Sequence, residues 1–66
     1  MKNKIKIQRA INGLTQEELA NRIGVSRQTI NSIENNRYVP SAILALKISK
    51  VFNMSVNGIF ELDEDD

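Results

Sequence analysis

Sixty-six residues allow one small domain, which buries only about 60% of the surface its unfolded chain exposes. Without Cys there is no disulfide or thiolate metal site, and without His the usual metal ligand and general base are missing, so metal centres and enzymes are poor readings. No apolar run approaches the ~20 residues of a membrane span, and the formal charge of +1 excludes no partner until its distribution is read.

The opening "MKNKIKIQ" is basic but lacks a signal-peptide apolar stretch, which points to a reduced, cytoplasmic setting. A first helix is expected over about Lys4 to Asn12. Ile7 and Ile11, four apart and flanked by Ala10, would form its apolar face, and Gly13 would stop it. The period-two alternation of "KIKI" supports a strand as the competing reading.

"TQEELANRIG" is the clearest local signal. Thr15 and Glu18 have the spacing of a capping box, and Glu17 and Glu18 sit at the positive end of the helix dipole. Leu19, Ala20 and Ile23 face inward, and Gly24 ends the second helix. Ser26 then caps a third helix whose apolar stripe is Val25, Ile30 and Ile33. So short a connection forces a steep crossing, a helix-turn-helix over about residues 16–35.

With Ile30 and Ile33 inward, Arg27, Gln28, Asn31 and Ser32 point away from the core. Arg pairs with guanine O6/N7 and Gln with adenine N6/N7, so these four are the candidate base-reading residues. A solvated helix face is the plain alternative. It loses ground because a cap, a glycine turn, a second cap and following basic residues coincide. Gln16, at a helix N-terminus, and Thr29, Asn36, Arg37, Tyr38 and Ser41 are the candidate phosphate contacts. Arg9, Lys2, Lys4 and Lys6 add a long-range field. Arg22 has the spacing to pair with Glu18. Glu34, unfavourably placed near a helix end, reads as an internal tie to Arg9 or Arg37.

Pro40 and Ser41 open a fourth helix, to about Phe52, whose apolar arc is wide: Ala45, Ile48, Ser49 and Phe52 on one face, with Leu44, Val51, Ile43 and Leu46 broadening it. Ser55 caps a short fifth helix, Val56 to about Phe60, which Gly58 weakens. "IFELD" has the alternative of pairing with "MKNKI" as a small two-stranded patch. Residues 1–60 hold nine Lys/Arg against three Glu, a net of +6, whereas "ELDEDD" (61–66) carries five acids and no base. The body is therefore basic, as for a polyanion partner, and the acidic tail reads as a solvated, frayed end.

"LTQEELANRIGVSRQTINSIENNRYVPSAILALKISKVFNMSVNGIF" resembles the phage Cro/repressor-like (XRE) helix-turn-helix family, and most of all its short stand-alone regulators of the cytolysin-repressor type. The resemblance implies an all-α, five-helix repressor-like domain with a small β patch from the chain ends. It implies a homodimer on a palindromic operator of double-stranded DNA, and no cofactor or small-molecule ligand. It assigns Gln16 to phosphate and Arg27, Gln28 and Ser32 to bases. Asn36 stands where the family usually has Gly, which predicts a stiffer loop. Gly58 stands where an acid usually supports the last helix. The expected dimer surface is Val56, Asn57, Ile59 and Phe60, with Leu62 adjoining. The function these features point to is transcriptional repression. An antitoxin-like interaction module that also binds DNA is the rival.

Overall fold

The computed structural model describes all residues, Met1–Asp66. In chain order the elements are β1 (Lys2–Asn3), α1 (Ile5–Asn12), α2 (Gln16–Ile23), α3 (Arg27–Glu34), α4 (Ala42–Phe52), α5 (Val56–Ile59) and β2 (Phe60–Glu61). The strands pair antiparallel, Lys2 opposite Glu61 and Asn3 opposite Phe60. The patch expected from the chain ends is thus present, and the acidic segment begins inside it. No helix is long and apolar enough to cross a membrane.

Local side chains set where the helices begin. The hydroxyls of Thr15, Ser26, Ser41 and Ser55 each accept a backbone N–H three residues on, from Glu18, Thr29, Leu44 and Gly58. Each satisfies a donor that a helix N-terminus otherwise leaves unpaired. α1 lacks such a cap at Lys4. Its start is held from outside, by the Lys4 N–H donating to the Ile59 carbonyl at 2.9 Å and the Ile5 N–H to Asn3 Oδ1 at 3.2 Å. Gly24 closes α2 at φ 75°, in the left-handed region where a Cβ is strained. Asn36, at φ 60°, adopts the conformation for which glycine is the usual choice.

The capping box on α2 is complete: the Thr15 N–H donates to Glu18 Oε1 at 3.0 Å, reciprocating the Glu18 N–H to Thr15 Oγ1 bond. These bonds from Thr15 hold the Glu18 carboxyl below its ordinary value of 4.5. Glu18 therefore stabilises the fold above that pH, and its contribution fades as pH falls through the depressed folded-state value. Thr15→Ala is expected to lower the unfolding free energy by about 1 kcal/mol at pH 7. The deficit narrows in acid, because Glu18 in the parent also protonates there. Urea titrations at neutral and strongly acidic pH check both statements.

The core is Ile5, Leu14, Leu19, Ala20, Ile23, Ile30, Ile33, Ile48, Phe52, Ile59 and Phe60. α2 and α3 pack against each other and α4 backs α2. Ser49 is buried within α4 and donates its hydroxyl to the Leu46 carbonyl.

Three expectations are corrected. The apolar face of α1 is not Ile7 and Ile11, which are 59% and 70% exposed; Ile5 is buried, with Gln8 and Arg9 half-buried beside it. The register of α1 follows Arg9, whose guanidinium is drawn inward by Glu34, so a charged residue occupies the inner face. Ile59 and Phe60 serve the core and not an open apolar surface, because their own chain encloses them (1% and 7% exposed). Val56 is half-buried, and Asn57 and Leu62 remain open. Finally, the tail is not frayed throughout. Asp63 and Asp66 lie 3.1 Å from the Met1 ammonium, and the Asp66 N–H donates to the Asp63 carbonyl.

Candidate nucleic-acid interface

α3 has two unlike faces. Ile30 and Ile33 are sealed in the core and fix its rotation. Arg27, Gln28 and Asn31 are exposed opposite them, and Ser32 and Thr29 are half-buried at the margins. Arg27 and Gln28 occupy the first two positions after the Ser26 cap. No carboxylate lies within ion-pair distance of Arg27 or Arg37, since the bridges of this chain use Met1, Lys2 and Arg9.

Two open clefts flank this end of α3. One, of about 310 Å³, is lined by Ser26, Gln28, Thr29, Ser32, Arg37 and Tyr38. It brings two base-reading candidates, Gln28 and Ser32, together with three phosphate candidates, Thr29, Arg37 and Tyr38. The other, of about 420 Å³, is lined by Arg9, Leu14, Thr15, Gln16, Glu17 and Arg27. It sets Arg27 beside Gln16 at the start of α2. Asn31, Asn36 and Ser41 line neither cleft. The Asn31 carbonyl and Oδ1 accept the Asn35 side-chain amide at 2.9 and 3.2 Å. The Ser41 hydroxyl is occupied as the α4 cap. The Thr29 hydroxyl lies 3.0 Å from Ser26 Oγ and shares a hydrogen bond with it.

A partly buried tie holds the three helices that carry these groups. Arg9 Nε and a terminal nitrogen donate to the two Glu34 oxygens at 2.7 and 3.0 Å, and the other terminal nitrogen donates to the Leu14 carbonyl at 3.0 Å. The bonds to Glu34 raise the Arg9 pKa further above its ordinary value. Gln16 Nε2 donates to the same carboxylate at 3.3 Å. Glu34 therefore orients Gln16 as well as joining α1 to α3. Of the two partners open to Glu34, the structure selects Arg9, which leaves Arg37 free at the surface. The hold on Gln16 escaped the sequence reading; the clue was a carboxylate at the unfavourable end of a helix. No group of side chains suited to a metal ion is present.

Two short helices joined by Gly24, Val25 and Ser26, the second presenting polar side chains outward from a fixed core face, define a helix-turn-helix DNA-binding fold. The helix-turn-helix family model matches residues 5–59. The chain is 52% identical over 66 residues to an uncharacterised HTH-type transcriptional regulator, MJ0272, of Methanocaldococcus jannaschii, covering 100% of both. It is 51% identical over 65 residues to the uncharacterised HTH-type transcriptional regulator YgzD of Bacillus subtilis, covering 98% of each. Among solved structures it is similar to the N-terminal DNA-binding domain of SinR from Bacillus subtilis, with a TM-score of 0.79 and 32% identity over 92% of this chain and 90% of that one. The chain belongs to the XRE-type helix-turn-helix family. It is a transcriptional regulator built on a DNA-binding domain, not an enzyme.

Proposed function

We propose that this regulator reads a palindromic operator as a homodimer and represses transcription by covering it. The observation that carries the reading is the pairing of Arg27 and Gln28, exposed at the leading end of α3, with a core face that holds the helix still. In the major groove these two would meet base edges, with Asn31 and Ser32 deeper along the helix. Gln16, Thr29, Asn36, Arg37, Tyr38 and Ser41 surround that end and would meet the phosphates. Two copies place two recognition helices in successive major grooves, about 34–36 Å apart. A second copy would also cover apolar side chains that this chain leaves in water, among them Ile43, Leu46 and Leu62.

Selection from randomised duplex DNA at a stated salt concentration tests this. The expected result is an inverted repeat with half-sites one helical turn apart. Recovery of no preferred sequence, or of a lone half-site, overturns it. With the selected duplex, Arg37→Ala is expected to weaken binding to cognate and unrelated DNA alike. It should also flatten the slope of log K against log salt by about 1.8 for the dimer, one phosphate's worth in each half-site. Titrations at four salt concentrations check this.

A further inference from the structure

Asn3 lies in β1, far from α3 in sequence, yet its side chain ends at the far end of the recognition helix. Its Nδ2 donates to the Ile33 carbonyl at 2.8 Å and to Asn36 Oδ1 at 3.3 Å, while its Oδ1 accepts the Ile5 N–H at 3.2 Å. Two of these partners are backbone groups of fixed polarity. The Ile5 N–H requires an oxygen of Asn3, and the Ile33 carbonyl requires its nitrogen. The Asn3 amide therefore has one orientation only, and the hydrogen left over on Nδ2 points at Asn36. An amide nitrogen turned toward that hydrogen would oppose donor to donor, so Asn36 must offer its oxygen.

The consequence lies on the opposite side of Asn36. With Oδ1 engaged by Asn3, its Nδ2 makes no hydrogen bond within the chain and keeps its donors for another partner, at an exposed position beside Arg37 and Tyr38. The backbone is held too: the Asn36 N–H donates to the Ile33 carbonyl at 3.1 Å and the Arg37 N–H to the Ser32 carbonyl at 2.9 Å. We propose that Asn3 is a positioning residue, which turns the Asn36 amide so that it presents donors, not an acceptor, to a phosphate of bound DNA. This rests on the reading that the loop after α3 lies against the DNA backbone. A glycine at position 36 would keep the left-handed backbone but have no such group.

The test is a double-variant cycle with the selected duplex and an unrelated duplex as probes. Asn3→Ser keeps a short side-chain oxygen for the Ile5 N–H and removes the donors to Ile33 and Asn36. Asn36→Gly removes the side chain without straining φ 60°. Asn36→Gly is expected to weaken binding about 10-fold on both probes, the size of a lost hydrogen bond to a charged group. Asn3→Ser should weaken it about as much in the parent, and less than 2-fold in the Asn36→Gly background, at a temperature where circular dichroism shows every variant folded. Equal losses in both backgrounds overturn the proposal, because Asn3 would then act through the fold alone. Should Asn3→Ser fail to fold, a crystal structure of the parent on DNA decides: an Asn36 amide bridging Asn3 and a phosphate supports the proposal, and an Asn36 amide clear of every phosphate or turned off Asn3 overturns it. If the parent binds neither probe, the DNA reading itself fails and takes this inference with it.

Discussion

Arg9→Met is expected to destabilise the protein by about 3 kcal/mol, the low end of the range for breaking a buried ion pair. The low end applies because Arg9 keeps 14% of its side chain exposed, whereas Glu34 keeps 5%. Methionine retains the aliphatic stem and removes only the guanidinium. It strands the Glu34 carboxylate with one partner, Gln16 at 3.3 Å, and leaves the Leu14 carbonyl without its side-chain donor. Each kcal/mol moves the melting temperature of so small a domain by about 4–8 °C, so the variant melts about 10 °C or more below the parent. Adding Glu34→Leu should recover most of that loss, since an apolar pair of similar volume needs no desolvation. DNA affinity is expected to fall in the double variant, because only there does Gln16 lose the carboxylate that orients it. Thermal melts and duplex titrations on the same samples separate the two effects.

The second large effect is on discrimination. Arg27→Ala combined with Gln28→Ala is expected to reduce the preference for cognate over unrelated DNA by about 2–6 kcal/mol per half-site, from about 1–3 for each bidentate base contact. Stability should stay within about 0.5 kcal/mol, because both side chains are exposed and clear of the core. Affinity for unrelated DNA should fall only by the share of one lost positive charge. Competition titrations at fixed salt measure this. A double variant that keeps its sequence preference would show that α3 does not read the bases.

Much of this architecture is legible locally. Thr15, Ser26, Ser41 and Ser55 mark helix starts within three residues of the donors they satisfy, and Gly13, Gly24 and Asn53 mark ends by their left-handed backbone. Such signals need no tertiary information. The register of α1 was misread although the tie of Glu34 to Arg9 or Arg37 was anticipated, because the spacing of Ile7 and Ile11 suggested an apolar inner face that Arg9, with its partner 25 residues away, in fact occupies. Asn3 escaped notice for the same reason, with its backbone partner 30 residues on. Ile59 and Phe60 show a different limit: apolar residues near a chain end suit a core and an interface equally well, and only the packing distinguishes them. The pairing of the two chain ends was open as an option, and its realised pairs are Lys2 with Glu61 and Asn3 with Phe60, whereas the period-two alternation of "KIKI" misled, since Ile5, Lys6 and Ile7 begin α1.

The division of labour along α3 also bears on how such a regulator diverges. Ile30, Ile33 and Glu34 anchor the helix, while Arg27, Gln28 and Asn31 touch none of the core. Substitutions at Arg27 and Gln28 leave packing, the backbone caps and the ion pair intact, and at Asn31 they remove one exposed bond from Asn35. If these outer residues read the bases, as proposed, a lineage can drift from one target sequence to another through folded intermediates, without compensating changes elsewhere in the scaffold.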